Sequence, residues 1–271
     1  MNSLMTVIKE HIACKSQLFK LAKSDILRTY RGAALGWFWA ILKPGFTIFV
    51  YWFVFEIGLR VGRDIGADIP FYLWLLAGIV PWFYMSEMLT QGMGSIKRYG
   101  YLVTKMKFPV STIPTFVSLS KAFVNAMLIL IVIIIFWVMG YPPNIYYLQI
   151  PFYFMLTFMF FTMYALFAAP LSAISKDFSN FIKSLITAVF WLSGIIWDSE
   201  RINNELVKRI MMFNPVNFLC TGFRDALVYQ RWFFDQERYL NFITFAGMML
   251  LMFALALFVY KKTRKEIPDV L

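Results

Sequence analysis

Six long apolar stretches run along the chain, separated by shorter polar segments. A transmembrane helix needs about 20 mostly apolar residues, and each stretch meets that requirement. The third is the clearest, because residues 125–139 contain no charged side chain. The pattern therefore predicts an all-α membrane protein with six transmembrane helices. We expect these spans at about residues 35–58, 70–93, 112–139, 147–173, 180–197 and 240–260.

Residues 1–27 show a different pattern, in which apolar side chains recur near helical spacing and the lysines lie mainly off that stripe. The apolar run is too short to cross a bilayer, whereas an amphipathic helix of this kind lies in the plane of the membrane surface. We therefore expect an amphipathic interface helix on the cytoplasmic side, anchored to the membrane or packed against a partner protein. Residues 28–271 would then form the transmembrane domain.

Residues 94–111 are too polar to span the membrane, yet they carry an apolar stripe between basic residues. The stripe consists of Ile96, Tyr99, Leu102, Val103 and Met106. Pro109 is expected to end a helix here, because the residue before a proline disfavours helical backbone. The pattern predicts a short amphipathic cytoplasmic helix at about 95–109 that docks on another surface, with a solvated loop as the alternative.

Residues 211–229 form an apolar segment that is interrupted by Asn214-Pro215 and Gly222 and ends at Arg224-Asp225. A seventh span here would place the basic tail outside, although cytoplasmic loops carry the excess of Lys and Arg. We therefore expect a pair of re-entrant helices on the outer side, before the last span.

Basic residues are concentrated on one side of this topology. The N-terminal segment, the loops after the second and fourth spans, and the C-terminal tail hold most of the formal net charge of +11. By contrast, the loop after span one has Arg60 and Arg63 offset by Asp64 and Asp68. Both termini are therefore expected in the cytoplasm. Membrane orientation and attraction to anionic lipid together explain most of the basic excess, and we expect no nucleic-acid partner.

Composition and motifs restrict the chemistry further. Hydrophobic residues make up 60% of the chain, well above the roughly 45–50% of soluble domains. The sequence has no P-loop, no Gly-x-Ser-x-Gly elbow and no cluster with metal-ligand spacing. Glu56 and Glu87 lie at span ends and give little support for a proton relay. We expect no catalytic site, cofactor or metal in this chain, which would be energised by another protein.

The most specific motif is at residues 28–44, where a basic segment leads into an aromatic apolar helix: Arg-Thr-Tyr-Arg-Gly-Ala-Ala-Leu-Gly-Trp-Phe-Trp-Ala-Ile-Leu-Lys-Pro. Lys-Phe-Pro at 107–109, Ser-Lys-Asp-Phe at 175–178 and Gly-Phe-Arg-Asp at 222–225 accompany it. Together these motifs resemble the ABC-2 type permease subunits of ABC exporters for polysaccharides. That family moves O-antigen, capsular polysaccharide or wall teichoic acid, carried on polyprenyl pyrophosphate, across the bacterial cytoplasmic membrane.

The resemblance implies a homodimer of permeases bound to two separate ATPase subunits, which hold ATP and Mg²⁺. Residues 95–109 would be the coupling helix, and spans one and five would form a lateral gate for the lipid. Arg28, Arg31 and Lys43 would meet the carrier phosphates, because guanidinium groups bind phosphate through paired hydrogen bonds. They would also serve simply as anchors of the first span. The implied coupling residues are Lys97, Arg98, Tyr99, Leu102, Lys105, Met106 and Phe108.

Aromatic rings form a second group of candidate site residues, because they can stack on sugar faces while a polymer slides past. The candidates for the channel wall are Trp37, Trp39, Tyr51, Trp52, Tyr72, Trp74, Trp82, Phe83 and Tyr84. The alternative is that these rings form a membrane-interface belt or pack inside the protein.

The expected cargo depends on residues 193–197, which read Ser-Gly-Ile-Ile-Trp where many O-antigen permeases carry a proline after the serine. With Gly-Phe-Arg-Asp and the Arg-Trp-Phe-Phe at 231–234, this favours the teichoic-acid branch. O-antigen or capsular polysaccharide is the alternative cargo. A drug or small-lipid permease would need neither the aromatic excess nor the motif at 28–44, and a membrane enzyme is disfavoured by the lack of a polar catalytic cluster.

Overall fold

The computed structural model describes residues 3–58, 69–106, 108–236, 238–264 and 266–271, and regular structure in these ranges is helical throughout. Short 3-10 turns precede α3 and α8, and π-helical turns follow α3, α4 and α11. The α-helices are α1 (Ser3–Ala13), α2 (Lys15–Tyr30), α3 (Trp39–Trp52), α4 (Phe71–Glu87), α5 (Ser95–Arg98), α6 (Gly100–Met106), α7 (Thr112–Val138), α8 (Gln149–Ile174), α9 (Lys176–Leu192), α10 (Glu205–Met212), α11 (Pro215–Arg224), α12 (Tyr239–Thr263) and α13 (Ile267–Val270).

Five helical stretches in the described residues are long and apolar enough to cross a membrane. They are Gly36–Gly58, Phe71–Gly92, Thr112–Val138, Ile145–Ile174 and Tyr239–Thr263. The prediction of an all-α membrane protein is confirmed, and five predicted spans match these stretches. The predicted span at 180–197 falls in α9, which has only 17 residues, and in the turn after it. A sixth crossing therefore stays a prediction.

The main core lies around α4 and α8. In α4 apolar residues occur on every side of the helix, which is typical of a helix buried all round, and 72% of its most apolar stretch is buried. The stretch that contains α3 lies at the other extreme, with 6% buried. Its main neighbour is α4, and Phe46, Phe49 and Phe53 are exposed. One face of α3 is thus available to lipid or to another protein, while most of its other residues are half-buried.

The expected interface helix consists of two helices, α1 and α2, which meet at Cys14 and extend to Tyr30. They pack on the chain's own spans: the Tyr260 hydroxyl of α12 donates to Glu10 at 2.8 Å, and α2 lies along α7. Leu18 of α2 shares a buried cluster with Ile267 of α13. The N-terminal and C-terminal segments therefore lie at the same end of the helical bundle, here called the terminal end.

The segment predicted as one helix at 95–109 is broken at Tyr99 into α5 and α6. Tyr99 leaves the helical conformation, and its ring packs edge-on against Phe116 of α7, with 4.8 Å between ring centroids. Most of the apolar stripe is buried with it in the terminal-end cluster. The stripe therefore packs within the chain, and only Met106 of the five is exposed. Lys107 lies outside the described residues.

Residues 199–229 lie at the opposite end of the bundle. Asn204 and Asn214 cap the N-termini of α10 and α11 through their side-chain oxygens, as expected for this residue type. Helix α11 contacts α4, α8 and α12 and continues through Gly222, where an added Cβ would overlap the Tyr153 ring. Re-entry into the membrane stays a prediction. The loop charges Arg60, Arg63, Asp64 and Asp68 lie outside the described residues.

Candidate functional site

A groove follows α3 and α4 and consists of two adjoining cavities. The first, of about 210 Å³, lies near the terminal end between α2, α3, α4 and α7. The second, of about 220 Å³, lies farther along, between α3, α4 and α9. Thr47, Phe83 and Ser86 line both cavities. We call the first the charged cavity and the second the aromatic cavity.

The charged cavity contains ionisable side chains from three helices. Lys43 of α3, Glu87 of α4 and Lys121 of α7 line it together with Gln91. Lys121 Nζ lies 3.7 Å from Glu87 Oε2, and the lysine side chain is 3% exposed. Charged groups within membrane segments are costly and most often mark a transport path. Two lysines against one carboxylate leave the cavity with a net positive charge, which suits an anionic group.

The polar residues of this cavity continue into the segment that links α4 to α7. Gln91 Nε2 donates to Glu87 Oε1 at 3.3 Å, and Gln91 Oε1 accepts a hydrogen bond from Arg98 Nη1 at 2.9 Å. Arg98 belongs to α5, so a chain of polar contacts runs from α5 to Lys121. This connection joins the expected coupling residues to the cavity.

Tyr30 lies at the end of α2 and also lines the charged cavity. Burial, and then the nearby carboxylates of Glu87 and Asp25, raise the pKa of Tyr30 to about 12. A tyrosine phenol is protonated at neutral pH even at its ordinary pKa of about 10, so Tyr30 presents a hydroxyl donor here. A neutral donor beside two lysines is well suited to a phosphate oxygen.

The aromatic cavity combines rings with hydroxyl groups. Tyr51 stacks on Phe190 of α9 at 5.3 Å between ring centroids, and Trp82 lies 5.7 Å from the same ring. The hydroxyl-bearing Thr47 and Thr187 line the cavity beside these rings. Apolar ring faces beside hydroxyl groups can contact both the carbon skeleton and the hydroxyl groups of a sugar.

The structure separates the three predicted phosphate contacts. Lys43 lines the charged cavity, but neither Arg28 nor Arg31 does. Arg28 lies over the Tyr99 ring, with its Cζ 5.9 Å from the ring centroid. Arg31 follows the last residue of α2 in extended conformation and is exposed. The roles of the two arginines in cargo contact remain predictions.

The nine predicted aromatics also fall into two groups. The rings that line the groove are Trp39, Tyr51, Trp82, Phe83 and Tyr84. Trp37 is exposed, Trp52 and Tyr72 are half-buried against the main core, and Trp74 is fully buried. The Trp74 ring packs inside the protein, where the guanidinium of Arg224 stacks on it.

The predicted coupling residues are likewise divided. Tyr99, Leu102 and Phe108 are buried in the terminal-end cluster. The exposed members are Lys97, Arg98, Lys105 and Met106. A partner that contacts this segment would therefore meet these side chains together with the exposed Tyr101 and Thr104.

Sequence reasoning missed Lys121, Gln91 and Tyr30 as cavity residues. A signal existed for Lys121, since it is the only charged residue within the predicted span at 112–139. Gln91 lies within the predicted span at 70–93, but among Ser86, Glu87 and Thr90 near its end, where polar side chains are common. Tyr30 lies in the polar segment before the first span and carries no comparable signal.

The sequence is similar to known proteins over most of its length. A family model described as "ABC-2 type transporter" matches residues 16–228. A protein of Myxococcus xanthus named "O-antigen export system permease protein RfbA" is 21% identical over 267 residues, covering 98% of this chain and 99% of the relative. Two proteins of Klebsiella pneumoniae with the same name are 23% and 24% identical over 257 residues, each covering 91% of this chain and 92% of the relative.

Proposed function

The chain belongs to the ABC-2 type transporter family as the permease of an exporter, and we propose that its cargo is a lipid-linked cell-surface polysaccharide of the O-antigen class. The observation that carries this proposal is the groove, in which a positively charged cavity adjoins an aromatic one. A pyrophosphate would occupy the charged cavity beside Lys43 and Lys121. The attached sugars would follow along the rings of Tyr51, Trp82 and Phe83.

The choice of O-antigen rests on the relatives. All three are named as O-antigen export permeases, and each alignment covers at least 91% of this chain and 92% of the relative. The expectation of wall teichoic acid, which rested on short motifs at 193–197 and 231–234, gains no support from them. Capsular polysaccharide has the same groove requirements and is the nearest alternative.

We further propose that the chain works as a homodimer with two ABC ATPase subunits, which hold ATP and Mg²⁺. The groove is open on one side, because α3 carries exposed Phe46 and Phe49 and α9 carries exposed Phe181, Leu185 and Trp191. A second copy facing this side would enclose a channel. The basic surface of α5 and α6 would face the ATPase.

The topology that we propose has six crossings, with α9 as the fifth, in the cytoplasmic membrane of a bacterium. Two observations support it. The two ends of the chain pack together at the terminal end, which requires an even number of crossings. The carbonyl of Gly194, just after α9, accepts a hydrogen bond at 2.7 Å from Arg224. The Nε of Arg224 also donates to the carbonyl of Trp74, near the N-terminus of α4 and away from the terminal end. The C-terminus of α9 therefore lies at the opposite end of the bundle. At about 1.5 Å per residue, α9 is about 25 Å long, slightly short of a typical bilayer core.

In this topology the terminal end is cytoplasmic, so the charged cavity opens near the compartment where the cargo is made. Helices α10 and α11 lie at the outer end, and α11 would re-enter the membrane between α4, α8 and α12. The basic excess of the N-terminal segment and tail agrees with this orientation.

Deletion of the gene in the bacterium that encodes it tests the proposal. We expect lipid-linked polymer to accumulate inside the cell, and surface polymer to return when the intact chain is supplied with its ATPase. The ratio of phosphorus to hexose in the accumulated glycan, after removal of the lipid diphosphate, separates a polysaccharide from a polyol-phosphate polymer. Unchanged surface polymer in the deletion strain would contradict the proposal, and a phosphorus-rich glycan would restore the teichoic-acid alternative.

A further inference from the structure

Asp25 is a buried carboxylate where three elements meet. It belongs to α2 and is 3% exposed. One carboxylate oxygen accepts a hydrogen bond from the Tyr99 hydroxyl, between α5 and α6, and the other accepts one from the Ser120 hydroxyl of α7. A single side chain thus joins the interface helices, the α5–α6 segment and the third span.

Burial of a carboxylate is unfavourable unless hydrogen bonds replace its hydration. Here two buried hydroxyl groups supply them, and hydrogen bonds to a charged acceptor are roughly twice as strong as neutral ones. Burial and the bond to Asp25 raise the pKa of Tyr99 above its ordinary value, so the phenol keeps the proton that it donates. An apolar residue at position 25 would fill the space but could not orient Tyr99 and Ser120.

The two partners of Asp25 are direct chain neighbours of cavity-linked residues. Tyr99 follows Arg98, which donates to Gln91, and Ser120 precedes Lys121, which pairs with Glu87. Two connections therefore run between the α5–α6 segment and the charged cavity. One is a chain of polar contacts through Gln91 and Glu87. The other passes through Asp25 to Ser120 and reaches Lys121 along the backbone of α7.

We propose that Asp25 is a positioning residue for transport: it holds Tyr99 and Ser120 in register, so that movement of the α5–α6 segment is transmitted to Lys121 in the charged cavity. This inference rests on the proposed function, because it assumes that an ATPase moves this segment. It assigns to Asp25 the transmission of that movement and no contact with cargo.

The test measures polymer exported per ATP hydrolysed. Inverted membrane vesicles from the encoding bacterium, with the complete transporter and its own lipid-linked polymer, provide both quantities. Asp25→Asn keeps the side-chain size but removes the charge, and Tyr99→Phe removes one donor. Each variant is expected to lower the ratio about tenfold, the order of effect for losing one hydrogen bond to a charged group. The ratio for the double variant should be no lower than that of the more impaired single variant, because the two substitutions remove the same connection.

Two matched variants serve as controls. Glu205→Gln changes an exposed carboxylate to an amide, and Tyr239→Phe removes an exposed hydroxyl at the opposite end of the bundle. Both should leave the ratio unchanged. The inference is overturned if Asp25→Asn leaves the ratio unchanged, or if export and hydrolysis fall in equal proportion with the amount of folded complex. Absence of ATP-dependent export by the unsubstituted transporter would instead overturn the proposed function, and the inference with it.

Discussion

Lys121 Nζ lies 3.7 Å from Glu87 Oε2, which joins the third span to the second inside the groove. Glu87→Gln removes the counter-charge of a lysine that is 3% exposed. Breaking a buried pair from one side is strongly unfavourable. Because Glu87 itself is 39% exposed, we expect a moderate loss of about 2–3 kcal/mol in the free energy of unfolding, measured on the detergent-solubilised protein.

Two further variants decide whether pairing is the cause. Glu87→Gln combined with Lys121→Met should recover much of the loss, because no unpaired charge remains. Glu205→Gln removes a carboxylate that is 76% exposed and pairs with Lys208, so it should change stability by less than about 1 kcal/mol. Equal losses for Glu87→Gln and Glu205→Gln would contradict the prediction.

Gly78→Ala is expected to destabilise the packing of α4 against α11. A Cβ at position 78 would overlap the guanidinium of Arg224, which stacks on Trp74 with 3.5 Å between Cζ and the ring centroid. Overpacking of this kind costs roughly 1–3 kcal/mol, and a fall in the thermal midpoint would show it. Gly247→Ala is the control, because nothing lies within 4 Å of its added Cβ. A stabilised Gly78→Ala protein would show that Arg224 is not held there.

Lys43→Gln is expected to reduce surface polymer more than Arg31→Gln at equal protein levels. Lys43 lines the charged cavity, whereas Arg31 does not. Loss of a charge-assisted contact to phosphate is worth about 1.5–3 kcal/mol, so export at low cargo concentration should fall about tenfold or more. Quantitative staining of surface polymer measures this effect. Membrane fractionation checks insertion, and loss of insertion in either variant would favour the anchoring role of the basic residues.

Phe83→Ala is expected to impair export without loss of the permease–ATPase complex. Phe83 lines both cavities, so its removal interrupts the groove where they adjoin. Phe258→Ala provides a ring deletion at an exposed position on α12 and should export normally. The measurement is the rate of polymer appearance at the surface, normalised to assembled complex. If both variants export equally, sugars do not pass Phe83.

Sequence and structure agree best where a single physical signal dominates. Apolar length predicted six spans, because a bilayer-crossing helix must satisfy its own backbone hydrogen bonds and exclude charge, and five of them match long apolar helices. The predicted span at 180–197 has no matching long apolar helix, because α9 has only 17 residues and carries Lys176, Asp177 and Lys183 in its first half. The sixth crossing that we propose for α9 depends instead on tertiary packing, which brings Gly194 and Trp74 onto the same guanidinium of Arg224.

The groove was only partly predictable for a similar reason. Lys43, Trp39 and Phe83 could be named because charged or aromatic residues within spans are informative. Which face of each helix they occupy depends on how α3, α4 and α7 are rotated against one another. For the same reason, the sequence could not predict that Glu87 pairs with Lys121 or that Trp74 lies in the core.

The α5–α6 segment gives the sharpest contrast between pattern and packing. Its apolar stripe resembled a docking surface, but Leu102 is buried beside α2 and α7, whereas Lys105 is exposed. Leu102→Ala should therefore lower the unfolding free energy by about 2–4 kcal/mol through a cavity in the terminal-end cluster. Lys105→Glu should leave stability unchanged, because surface substitutions have small effects.

For ATPase binding to the permease, we expect Lys105→Glu to have a larger effect than Leu102→Ala. Lys105→Glu reverses a charge on the surface that we propose meets the ATPase, so affinity should fall, and the fall should be larger at low salt because exposed charges are screened. Leu102→Ala should weaken binding only to the extent that it unfolds the segment. Titration of the ATPase onto permease in lipid nanodiscs at two salt concentrations measures both effects. If Lys105→Glu binds normally at low salt while Leu102→Ala loses binding without loss of stability, the buried stripe and not the basic surface is the contact.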